Sequence, residues 1–108
     1  MKGVAGFNPN SLLLNGAGST AITAFYHTTI TISPAAVAAN TTAEQIFAAA
    51  GVGVNDIVNV NKPSSQAGLG LAGVRVSSAG NIGITFINAT AVAVTPTASE
   101  VYQVVGVR

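Results

Sequence analysis

From Thr20 to Ile32 hydrophobic and polar positions alternate with period two. Ile22, Ala24, Tyr26, Thr28, Ile30 and Ile32 share one face, and Thr23, Phe25, His27, Thr29 and Thr31 share the other. That period predicts a half-buried β-strand, and Ser33-Pro34 ends it because proline cannot donate to a ladder. The same alternation returns over Asp56–Asn61, with Val58 and Val60 on one face, and over 82–87, where Ile82, Ile84 and Phe86 alternate with Gly83, Thr85 and Ile87. It returns once more over 101–107 around Tyr102 and Val104. Leu69 and Leu71 alternate with glycines, Val74–Ser77 reads as a short strand, and Ala91–Val94 as another. Lys62-Pro63-Ser64-Ser65 predicts a turn, and Ser78-Ala79-Gly80-Asn81 a hairpin. Residues 41–51 are two-sided. Thr42-Ala43-Glu44-Gln45 has the form of a capping box, and Ile46 to Ala50 before Gly51 would suit a three-turn helix with a glycine stop. A strand from Glu44 to Ala50 is the rival.

Seven or eight short strands between turns predict an all-β, single-domain, antiparallel β-sandwich or jelly roll over residues 20–108. Residues 1–19, rich in Gly, Asn and Pro, read as an irregular N-terminal arm that docks its one apolar cluster, Leu12, Leu13 and Leu14. Val, Ile and Thr number 33 of the 108 residues, which fits pleated, half-buried surfaces. Asn8-Pro9-Asn10 interrupts any apolar run at the start. No stretch reaches the roughly 18 apolar residues of a spanning helix, so the expectation is a soluble, unprocessed chain with no membrane partner.

Charge changes this picture most. Only 6% of residues are charged, against a usual share of about 25%. A net charge of +1 supplies no clustered Lys and Arg for nucleic acid. No cysteine is present, which removes disulfides and thiolate chemistry. With one histidine and three acids, an enzyme is not expected, and no cofactor or metal is. Gly68-Leu69-Gly70-Leu71-Ala72-Gly73 spells a dinucleotide fingerprint, but a β-like segment follows it and no acid stands near Ala93; glycines allowing a bulge or close approach in a strand explain it better. His27 alone cannot form a metal site unless a trimer brings three copies to an axis. A Ser–His–Asp set from His27 and Asp56 has no nucleophile-elbow spacing to select a serine. Asn40-Thr41-Thr42 and Asn88-Ala89-Thr90 match glycosylation acceptors, which matter only in a secretory setting. So neutral a surface suits packing against protein, and symmetric self-assembly is the expectation. In that setting Asp56, Arg75 and Glu100 are expected to form structural ion pairs, within or between subunits.

The second half resembles small virion structural proteins of tailed bacteriophages, of the capsid cement or decoration kind. The matching residues are Val54–Pro63, Gly68-Leu69-Gly70, Arg75–Thr90, Thr95-Pro96-Thr97 and Glu100-Val101-Tyr102. The resemblance implies a β-sandwich, a strand rather than a helix over Ala43–Val52, a homotrimer, and a place on the phage capsid surface against the major capsid protein. A different class is a tail or fibre module recognising a host glycan or surface protein. That reading needs an exposed aromatic or carboxylate-lined cleft, for which Tyr26, Tyr102 and Asp56 are the candidates.

Overall fold

A computed structural model describes residues 21–108. The arm, with Leu12, Leu13 and Leu14, lies outside the described residues. Six strands follow in chain order: β1 (Phe25–Ile32), β2 (Thr41–Ala48), β3 (Ile57–Asn61), β4 (Leu69–Ser78), β5 (Asn81–Asn88) and β6 (Glu100–Val107). They form two three-stranded antiparallel sheets, ordered β1-β6-β3 and β2-β5-β4. The chain changes sheet at every connection except the β4–β5 hairpin, so each sheet is completed only by strands distant in sequence. The architecture is a β-sandwich, with six strands against a jelly roll's usual eight.

The inward positions of both sheets meet in one core. Tyr102, Val104 and Ile30 come from the first sheet, and Ile82, Ile84 and Phe86 from the second, with Val37, Ala49 and Val52 from the connections. Each large apolar side chain buried there stabilises by about 1.5–3 kcal/mol. The alternation over β1 and β5 lands as the sequence predicts, with Tyr26, Thr28, Ile30 and Ile32 facing in and Phe25, His27, Thr29 and Thr31 exposed.

Residues 41–48 form a strand, because all eight pair with β5, from Thr41 opposite Asn88 to Ala48 opposite Asn81. That pairing outweighs the local capping-box signal. The Gln45 side chain adds a tie to the β1–β2 loop, accepting from Ala35 N (2.8 Å) and donating to Ala35 O (3.0 Å).

Three expectations need correction. β1 begins at Phe25 rather than Thr20, because the amides of Thr23 and Ala24 converge on the single carbonyl of Arg108 just past the end of β6. The segments around Leu69–Leu71 and Val74–Ser77 are one strand, β4, in which a bulge between Leu71 and Gly73 breaks the period. Ala91–Val94 is no strand. Only Val94 pairs, as an isolated bridge to Val37, since Asn88 commits the preceding loop to another geometry. Fully buried Asn88 donates from Nδ2 to the carbonyls of Val37 (3.0 Å), Ala38 (3.2 Å) and Val92 (2.8 Å). Its Oδ1 accepts from Thr90 N and Thr90 Oγ1. The Asn88-Ala89-Thr90 triplet is thus a buried loop clasp, closed to a glycan in the folded state.

Candidate interaction face and its internal ion pairs

Every charged residue among those described is paired within the chain. Glu44 meets Arg75, Asp56 meets Arg108, and Glu100 meets Lys62. The three residues singled out from sequence therefore lie in three separate pairs.

Asp56 stands just before β3, at the end of a tight turn in which Asp56 N donates to Gly53 O (3.1 Å) and Asn55 takes a left-handed φ of 73°. Its carboxylate accepts from Tyr26 Oη (2.7 Å), Gly53 N (2.8 Å), Arg108 Nη2 (2.9 Å) and Arg108 Nε (3.1 Å). Arg108 lies over the Tyr26 ring at 5.2 Å and also donates to Gly51 O (2.6 Å). The guanidinium first, then the tyrosine hydroxyl, hold the Asp56 carboxyl down at about 2. Burial and the neighbouring carboxylate push the Tyr26 hydroxyl up. Gly106 in β6 makes the cluster possible: the Tyr26 ring lies over it, where any Cβ would overlap the ring.

Glu44 on β2 reaches Arg75 on β4 across the central strand β5, over Gly83. Arg75 Nε and Nη2 donate to Glu44 Oε2 (2.7 Å) and Oε1 (2.8 Å). Arg75 holds the Glu44 carboxyl below its ordinary range.

Lys62 Nζ stands 3.1 Å from Glu100 Oε1 with both side chains largely buried, and donates to Ser64 O and Oγ. The Ser64 hydroxyl and then Lys62 lower the Glu100 carboxyl. Next to this pair Tyr102 is fully buried. Burial, then the Glu100 charge, pushes its hydroxyl up to about 12.

With the charges closed into pairs, the outer face of the β1-β6-β3 sheet carries no Lys, Arg, Asp or Glu. Its register forms rows: Phe25, Val107 and Ile57; His27, Val105 and Asn59; Thr29, Gln103 and Asn61; then Thr31 and Val101. Phe25 and Ile57 are 58% and 76% exposed, and Val101 and Val105 about half. A shallow depression of about 300 Å³ opens beside Asn59, Asn61, Gln103 and Val105. His27 Nε2 lies 3.2 Å from Gln103 Oε1 on this face.

The other chemical readings are placed as follows. His27 bonds Gln103 while Asp56 bonds Tyr26 and Arg108, so the triad pair does not meet. Among the described residues no three His, Asp or Glu side chains gather as a metal site, and no helix is long and apolar enough to cross a membrane. Gly68, Gly70 and Gly73 lie at the entry to β4 and along it, Gly68 with φ +77° packed on Thr90. Tyr26 and Asp56 bond one another, and Tyr102 is fully buried. Sequence reasoning did not find the roles of Gly83, Gly106 and Asn88. For the two glycines the available signal was a glycine standing where the alternation asks for a side chain.

Comparison with family models, curated proteins and solved structures found no match.

Proposed function

We propose that this chain is a non-enzymatic virion structural protein of a tailed bacteriophage, a capsid cement or decoration protein that works as a homotrimer on the capsid surface. The observation that carries a packing role is the outer face of the β1-β6-β3 sheet, which has no Lys, Arg, Asp or Glu and exposes Phe25, Ile57, Val101 and Val105. Assignment to a phage particle draws on the resemblance of about residues 41–108 to virion proteins.

Mechanistically, the internal ion pairs leave no unpaired charge to be desolvated when the face meets protein, which removes the largest penalty of burying a surface. The apolar row Phe25–Val107–Ile57 supplies the area, and Asn59, Asn61 and Gln103 supply hydrogen bonds around it. Seated on the major capsid protein at junctions between its subunits, the trimer would resist internal pressure through the surface it buries.

Immunogold labelling of intact particles tests the location, with gold over the head expected. Gold confined to the tail would overturn the cement reading in favour of a receptor-binding module. Ile57→Lys, which adds one charge to the apolar row, should abolish binding to capsids while the variant stays folded.

A further inference from the structure

The sandwich presents four strand edges, and three of them are blunted in ways that stop strands of other chains from adding. β4 carries two register irregularities and Arg75. β3 has five residues and runs into Lys62-Pro63. β2 carries Glu44. β1 has none of these devices. Its eight residues pair with β6 in unbroken register, without a charge, proline, glycine or bulge.

The phase of the β1–β6 ladder says which groups are on offer. Ala24 and Arg108 exchange both backbone bonds, each 3.0 Å. In an antiparallel ladder such pairs alternate, so even-numbered residues of β1 face β6. The N–H and C=O groups of Phe25, His27, Thr29 and Thr31 therefore point away from the sheet, and among the described residues none of them has a backbone partner.

The geometry points to a second copy of this chain as the occupant, its β1 lying antiparallel to this one about a two-fold axis at Thr28. In that register Phe25 faces Thr31 and His27 faces Thr29 as hydrogen-bonded pairs, and Thr28 faces Thr28. No like charges oppose one another, and threonine pairs across strands are favourable. The side chains supply a second match. Phe25 and Val101 are exposed apolar groups at opposite ends of one face, and Thr31 is the β1 neighbour of Val101. The two-fold sets Phe25 of each copy beside Thr31 of the other, with Val101 one strand beyond. Sliding by two residues shortens the ladder and sets His27 against His27 or Thr29 against Thr29. The pairing is isologous and joins two three-stranded sheets into one of six. It goes beyond the trimer proposed above, linking copies that belong to different trimers.

Sedimentation velocity of the full chain over a concentration series tests this. The expected result is a doubling of the sedimenting unit if that unit is a single chain, and growth to twice its mass or more if it is a trimer with three β1 edges, so the outcome is separable from the trimer proposal. Thr29→Pro removes an N–H that points away from β6, and should abolish the growth while the melting temperature is nearly kept. Thr31→Pro, which removes a second N–H that points away from β6, should do the same and serves if the first proline variant does not fold. Absence of concentration-dependent growth in the full chain, or growth that survives in a folded variant, would overturn the proposal.

Discussion

In each sheet a glycine in the central strand lets a side chain from one edge cross to a partner on the far side. Over Gly106 the Tyr26 ring passes from β1 to Asp56 at the head of β3, and over Gly83 the Glu44 carboxylate passes from β2 to Arg75 on β4. The device is shared, but the surroundings differ. Asp56 is 4% exposed and takes bonds from three residues, with its partner Arg108 at 45%, whereas Glu44 is 30% exposed and its partner Arg75 64%. Charge-assisted bonds gain strength where water is excluded and lose most of it where water competes. The inner crossing should therefore hold the fold, and the outer one should chiefly remove charge from the surface.

Gly106→Ala should break the inner crossing most severely. Its Cβ would overlap the Tyr26 ring, which has no slack because its hydroxyl is held by Asp56 and its face by Arg108. Displacing it costs the Asp56 bond and overpacks the sheet, about 3 kcal/mol together. For a domain of this size that is a fall in Tm of roughly 15 °C. In a Tyr26→Ala background the same alanine should cost little. Equal costs in both backgrounds would show that the ring is not what the glycine accommodates.

Asp56→Asn keeps the shape and removes the charge, and should cost about 2 kcal/mol at neutral pH. The sign of its pH dependence follows from the lowered carboxyl. Because the folded value is about 2 against an ordinary 3.8, the carboxylate stabilises the fold fully above about pH 4. That contribution is lost as pH falls from about 4 to about 2. Urea unfolding across this window should show wild type losing stability toward the variant, and parallel curves would remove Asp56 from the acid limb.

Much of the framework was legible because most strands have one wet face. In β1, β5 and β6 the period-two pattern is the imprint of a single core, and it survives in the burial of Ile30, Ile84 and Tyr102. β2 was not legible locally: Thr42–Gln45 carries helix-start chemistry, and its strand character comes from β5, some forty residues on. β4 read as two pieces since a bulge shifts the pattern by one residue. The site was half legible. Asp56, Arg75 and Glu100 could be named as pairing residues simply because charges are so few. Their partners Arg108, Glu44 and Lys62 are supplied by the topology, which brings together Asp56 and Arg108 from 52 positions apart.

The smallest effect belongs to the outer crossing. A Cβ at Gly83 would come within 2.5 Å of Glu44 Oε2, 2.9 Å of Glu44 Cδ and 3.2 Å of Ile46 Cδ1. These are the far ends of flexible side chains on a wet surface, so they swing aside where the Tyr26 ring cannot. Gly83→Ala should open the Glu44–Arg75 pair and shift Tm by no more than a few degrees. Its signature is the response to salt. At about 1 M ionic strength the screening length falls to about 3 Å, so wild type should lose what the exposed pair contributes. Gly83→Ala, having lost it already, should show a smaller salt response, while Asp56, enclosed by its donors, should be little affected in either protein. A fall in Tm for Gly83→Ala as large as that for Gly106→Ala would mean that exposure does not separate the two crossings, and that backbone strain at the central glycines governs both.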